Sequence, residues 1–254
     1  MKWITVLMCL VFSMNVSAQE VEKPLPTVKE VTTKLDELYR SDASHSTVTM
    51  EVLNDRGLRT LELEQWTRGK DDALIVIRSP AREAGTATLK NKEGLWNYAP
   101  RADRMIRVPS GMLSDSWMGS HMTNDDLVRE SDYDEDFKTS LSWVNEAGKT
   151  YLKATMTPLP KAPVVWEKIE YLLDATDWFP VRADYFDRGK MMRRMEFKDT
   201  REVDGRKIPF IMNLLPLDKP GERTTFKYST LEFDKKVDGD LFSKQGLRRA
   251  AKSR

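Results

Sequence analysis

The chain has 254 residues, with 41 basic and 40 acidic side chains and a formal charge of +1. Near-neutrality argues against a nucleic-acid partner, because phosphate binding needs a basic surplus or a basic stripe. An apolar content of 40% with 9% aromatics supports a substantial core and argues against disorder.

Lys2 is followed by an apolar run from Trp3 to Met14, then by Val16-Ser17-Ala18 ahead of Gln19-Glu20. A charged start, a short apolar stretch and a small-residue cleavage point read as a secretory signal peptide over 1–18. The run falls short of the roughly 20 apolar residues a membrane span needs. The only cysteine, Cys9, would leave with the signal, so the exported chain would hold no disulfide and no cysteine-ligated metal. The expectation is a soluble protein of the bacterial periplasm, one domain over 19–254.

Thr27 and Glu30 have capping-box spacing, and Val28, Val31, Leu35 and Leu38 follow at helical intervals, which predicts an amphipathic helix over 28–40. The period then changes to two. Val48, Met50 and Val52 alternate with polar residues, a turn signal stands at 54–57, and Leu61 and Leu63 alternate in the next run. Short strands are predicted at 73–77, 86–90, 95–99 and 104–108, as antiparallel hairpins in sequence order. From 110 to 131 the alternation lapses into an insertion rich in apolar residues (Met112, Leu113, Trp117, Met118, Met122), where Thr123 can cap a short helix with Asp125 and Asp126 in its first turn. Strands resume at 137–144, 151–157, 164–173, 181–187, 191–199, 208–215 and 224–233, and a helix is expected over 238–250. About a dozen meandering strands should curl into a barrel or half-barrel, because a flat sheet of that size leaves long edges.

No constellation for catalysis stands out. His45 and His121 have no metal-ligand spacing around them, so no metal site is expected. The acids at 132–136 begin as a calcium loop does, but Phe137 and Trp143 occupy the positions that need glycine and a bidentate glutamate. Gly-x-Ser-x-Gly and glycine-rich phosphate loops are absent. Ser120 with His121 and Asp125 is the one nucleophile arrangement to consider, and adjacency in sequence does not place the first two in hydrogen-bond geometry. The reading is therefore a protein that is not an enzyme and needs no cofactor. Its hydrophobic inventory fits a curved sheet with an apolar inner face and a loose apolar flap. The cavity-facing candidates are Val48, Met50, Val52, Leu61, Leu63, Ile75, Ile77, Trp96 and Tyr98, with Phe210, Met212 and Leu214 opposite; Met112, Leu113, Trp117, Met118 and Met122 would form the lid. Arg101, Arg104 and Arg107 lie near one edge, where they can meet lipid headgroups or an acidic partner.

Several segments carry a family likeness. Trp96-Asn97-Tyr98-Ala99-Pro100, Arg104-Met105-Ile106-Arg107-Val108-Pro109, Ser116-Trp117-Met118-Gly119-Ser120 and Thr123-Asn124-Asp125-Asp126-Leu127 resemble the bacterial outer-membrane lipoprotein-sorting family related to the carrier LolA. His121-Met122 depart from it, since this branch commonly shows an acidic residue and an aromatic after Met-Gly-Ser. The resemblance implies a mainly β fold with flanking helices, an unclosed antiparallel half-barrel whose inner face is covered by helices and holds acyl chains. It implies a periplasmic carrier or chaperone of acylated lipoprotein or phospholipid for outer-membrane sorting, in transient contact with membranes. The alternative is a sensor or adaptor on the same fold, partnered with an inner-membrane permease of the resistance-nodulation-division type.

Overall fold

Thr27 and Glu30 close the first helix reciprocally. The Thr27 amide donates to Glu30 Oε2 at 2.8 Å and the Glu30 amide to Thr27 Oγ1 at 3.3 Å, at the head of α1 (Val28–Glu37). Val31, Leu35 and Leu38 are buried as the stripe predicts, while Val28 stays exposed. The computed structural model describes residues 24–38, 41–128, 133–160, 162, 164–234 and 236–253, so the expected signal peptide lies outside the described residues.

Two meanders follow. The first holds β1 (Ala43–Asn54), β2 (Gly57–Arg68), β3 (Asp72–Ser79), β4 (Ala87–Asn91), β5 (Gly94–Ala99) and β6 (Arg104–Arg107). The second holds β7 (Phe137–Glu146), β8 (Lys149–Pro158), β9 (Lys168–Asp174), β10 (Pro180–Asp187), β11 (Lys190–Val203), β12 (Arg206–Pro216) and β13 (Arg223–Phe233). Tight hairpins in the second meander turn on Ala147-Gly148, Arg188-Gly189 and Asp204-Gly205, with positive φ at both residues of each pair. That geometry matches the right-handed twist of the flanking strands.

Every neighbouring pair is antiparallel, and β13 pairs with β1, so one 13-stranded sheet runs from β6 through β1 and β13 to β7. This is the order of an up-and-down barrel left open between its sixth and seventh strands. The insertion that joins those two edges contains two 3-10 turns, Ser110–Met112 and Trp117–Gly119, and the short helix α2 (Asn124–Val128). Thr123 and Asp126 bond reciprocally at its start, through the Thr123 amide to Asp126 Oδ2 (2.8 Å) and the Asp126 amide to Thr123 Oγ1 (3.3 Å).

The sheet is covered on both faces. On the inner face α1 packs on β7–β11, with Val31, Leu35 and Leu38 against Phe137, Leu152, Met156 and Ile169. The insertion packs on β1–β3 and β13, with Trp117, Met122 and Leu127 against Val48, Leu63 and Phe226. The C-terminal segment differs from the continuous helix expected over 238–250. A 3-10 turn, Gly239–Phe242, ends at Ser243, whose Oγ accepts from the Gly246 amide (3.0 Å) and caps α3 (Lys244–Lys252). This helix lies on the outer face, over Leu74, Val76, Ala87 and Leu89. The strand expected from 164 begins at Lys168, because Val164 and Trp166 leave the ladder and pack on the core.

Candidate functional site

Alternation in β1 sends Val48, Met50 and Val52 to the inner face, and register carries the phase across β2, with Val48 opposite Leu63 and Met50 opposite Leu61. From β2 it passes to β3, where Leu63 pairs with Ile77. On the far side of β13, Phe226 stands opposite both Met50 and Met212. The inner face is therefore apolar over at least five adjacent strands.

Two adjoining cavities, of about 420 and about 320 Å³, lie between this face and its cover. Both are bounded by Gln65, Ile75, Met122, Asp126, Met212 and Tyr228, so they form two lobes of one site. Val48, Leu63, Ile75, Met212 and Leu214, all expected from sequence, line the larger lobe. Met50, Val52, Leu61 and Ile77 lie on the same face but are sealed beneath Trp117, forming the floor rather than the wall. Phe210 packs with Ile208 and Phe233 and meets Tyr228 edge-on, its ring centroid 5.9 Å away, so it supports a wall residue and does not line the space.

Trp96 and Tyr98 are corrected. Leu89 pairs with both Leu74 and Trp96, and Ala87 with both Val76 and Tyr98, which puts all of them on the outer face beneath α3. The inner phase of β5 belongs to Leu95 and Asn97. Asn97 receives a hydrogen bond from Thr88 Oγ1 (3.0 Å). The larger side chains in β5 face outward because the C-terminal helix covers that side.

The lid also differs from a loose flap. Trp117 is 2% exposed, and its indole Nε1 donates to Thr88 Oγ1 at 3.1 Å. Its amide donates to Met122 O (2.7 Å), while Ser120 Oγ donates to Trp117 O (2.7 Å) and accepts from the Met122 amide (3.1 Å). Arg59 Nη1 holds Met118 O at 2.6 Å. His121 reaches Thr224 Oγ1 and Glu222 Oε2, both at 2.9 Å. The 117–122 loop is thus pinned to β2, β4 and β13. Met118 and Met122 pack on the core beneath, but Met112 is 50% exposed and Leu113 half-buried, and neither joins that cluster. Met112 is therefore corrected as a lid residue: the 3-10 turn at 110–112 leaves it on the surface. Ser120 and His121 turn to different partners, so no nucleophile–base pair forms between them.

The larger lobe has a polar end that hydrophobic patterning does not locate. Arg193 on β11 makes a bidentate pair with Asp126 of α2, Nη1 to Oδ2 at 2.8 Å and Nη2 to Oδ1 at 2.7 Å, with side chains 11% and 15% exposed. The guanidinium sits 4.4 Å from the Trp166 ring centroid and 4.5 Å from that of Tyr185. Burial pushes the Asp126 carboxyl up, but the Arg193 bonds and charge, with help from Thr123, outweigh it and hold the group below the ordinary range. The Tyr185 hydroxyl is pushed up by burial. Tyr133 and Tyr171 share a hydrogen bond at 2.9 Å beside it. Sequence patterning missed these residues because Arg193 occupies an inner position, in phase with Met195 and Phe197, where a cation is not expected. The one signal was the pair Asp125-Asp126 in an apolar insertion, since a buried carboxylate requires a partner.

Among the described residues no group of three His, Cys, Asp or Glu side chains comes together to hold a metal, and no helix is long and apolar enough to cross a membrane.

A family model described as an uncharacterized protein family matches residues 69–249. No curated protein matches the chain in sequence. Solved structures do match in fold. A domain from Vibrio parahaemolyticus, described as an outer-membrane lipoprotein-sorting protein, is 21% identical, covers 87% of this chain and 97% of its own, and has a TM-score of 0.74. A DUF1329 family protein from Desulfovibrio piger is 21% identical over 86% of this chain and 96% of its own, with a TM-score of 0.76. A LolA superfamily protein from Nitrosomonas europaea is 19% identical over 87% and 100%, with a TM-score of 0.72.

Proposed function

We propose that this chain, which belongs to the uncharacterized protein family whose model matches residues 69–249 and shares the fold of the LolA superfamily structure over nearly its whole described length, is a periplasmic carrier of acyl chains. The observation that carries the reading is the two-lobed cavity between the apolar inner face and the pinned insertion. Each lobe falls within the roughly 300–1,000 Å³ typical of small-molecule sites. The walls of the larger lobe are aliphatic and aromatic, so the natural occupant is a hydrocarbon chain, each methylene of which gains about 0.8 kcal/mol on burial. The polar end formed by Arg193, Asp126 and the tyrosines offers hydrogen bonds to an ester or phosphate head, which gives orientation without covalent chemistry. The cargo is an acylated lipoprotein or a phospholipid.

The test is native mass spectrometry of the protein purified from its own envelope, followed by lipid extraction. A bound phospholipid or acylated protein is the expected result. A protein that stays empty after incubation with lipids overturns the carrier. Stoichiometric recovery of an inner-membrane permease with that empty protein would make it an adaptor instead.

A further inference from the structure

We propose that the corner formed by β6, the β4–β5 turn and α3 docks on an anionic lipid bilayer. Charge is concentrated there. Between 92 and 107 the cations Lys92, Arg101, Arg104 and Arg107 face only Glu93 and Asp103, and α3 adds Lys244, Arg248, Arg249 and Lys252 with no acid. These two segments hold eight cations against two acids in a chain whose total is +1, so the rest of the molecule is net acidic.

The segments meet in space. Lys244 of α3 bridges to Glu93 at 2.8 Å, and Arg248 lies 3.5 Å from Asp103, which also accepts from the Tyr98 hydroxyl at 2.8 Å. Both acids of the corner are thus taken up by its own groups. Arg107 lies across Gly94, close enough that a Cβ there would stand 3.1 Å from its Nε. Arg101, Arg104, Arg107, Arg249 and Lys252 are all exposed.

Exposed apolar side chains stand at and next to this sheet edge. Ile106, between Arg104 and Arg107 on the edge strand, is 58% exposed, and Met112, at the start of the insertion, is 50% exposed. Ile106 pairs with Asn97, so it projects on the cavity side of the sheet. Ile106 and Arg104 share one side of this edge strand while Arg107 and α3 lie on the other, so the sheet edge presents cations and an exposed apolar side chain together, the chemistry of an edge-on membrane contact. Arginines meet the headgroups while Ile106 enters the acyl boundary. Charge complementarity selects an anionic surface. The site does not depend on what the cavity holds.

The experiment measures binding of the purified protein to vesicles of phosphatidylcholine alone and of phosphatidylcholine mixed with phosphatidylglycerol, by co-sedimentation. Binding is expected to the mixed vesicles only. It should be lost as salt rises from about 0.1 M to about 1 M, where the screening length falls from about 10 Å to about 3 Å. The double variant Arg104→Ala/Arg107→Ala should weaken it by about 30-fold, the effect of two cations near an anionic surface. Ile106→Asp is a second variant that leaves every cation in place and should also weaken binding. Thermal midpoint and uptake of a fluorescent fatty-acyl probe serve as controls and should be unchanged in all variants, which separates failure of docking from failure of the carrier. Equal affinity for both vesicle types overturns the proposal. So does no binding to the anionic ones, even where the same variants lose an acidic protein partner instead.

Discussion

Asp126 and Arg193 tie the insertion to β11 across the larger lobe, so removing either should do two separable things. Replacing one member leaves the other charge buried without its partner, which costs about 3–5 kcal/mol. Asp126→Leu also removes the cap that Asp126 shares with Thr123, adding about 1 kcal/mol. Arg193→Met replaces the guanidinium with an apolar side chain that fits between Trp166 and Tyr185. In the double variant no charge is stranded, so the loss should shrink to about the cap and the cation–π contacts, about 2 kcal/mol together. The single losses sum to at least about 7 kcal/mol against about 2 for the double variant, so the two positions should be coupled by about 5 kcal/mol in a urea-unfolding cycle, in the sense that the second substitution rescues the first. Additive single effects, within about 0.5 kcal/mol, would refute the reasoning, because the pair would then not be a buried unit. The tether also has a defined pH response. Asp126 titrates below its unfolded value of about 3.9, so its contribution is full above that value and fades as pH falls through the lower folded one. The pair should hold at neutral pH and release only in strong acid, as followed by Trp166 fluorescence.

Trp117→Ala should cost about 3–5 kcal/mol in urea unfolding and open the cavity floor onto Met50 and Leu61; a loss below about 1 kcal/mol would mean that the insertion is not anchored there. Ile75→Trp, which fills space between the two lobes, should abolish uptake of a fluorescent fatty-acyl probe. Trp96→Phe, on the outer face, should leave uptake intact, and the opposite pattern would reverse the assignment of faces. Gly246→Ala would bring a Cβ to 2.1 Å from Asp240 O and 2.6 Å from Leu241 O, so it should destabilise the protein by at least about 1–3 kcal/mol, read as a lowered thermal midpoint.

Much of the architecture was legible because it is local. The capping box at Thr27 and Glu30, the two-residue period through Val48, Met50 and Val52, and the turn residues between strands are governed by neighbours within a few positions. The two meanders and their interruption at 110–131 follow from them. Pairing of β13 with β1, and hence the gap between β6 and β7 that the insertion spans, is a contact between chain ends and has no local signature. The same holds for the faces of the sheet. Strand alternation divides a strand into two sets of residues, but which set looks inward is settled by the elements that cover each side. The apolar phase of β5 points to Trp96 and Tyr98 as inward residues, whereas α3 supplies an apolar surface on the outside and draws them there. Arg193 shows the converse. A cation at an inner position is a penalty in the strand alone, and it becomes stable only when α2 places the Asp126 carboxylate against it and Trp166 and Tyr185 enclose it. Local sequence thus determined the elements and their order, while tertiary packing decided the faces, the floor and polar end of the cavity, and the anchoring of its cover.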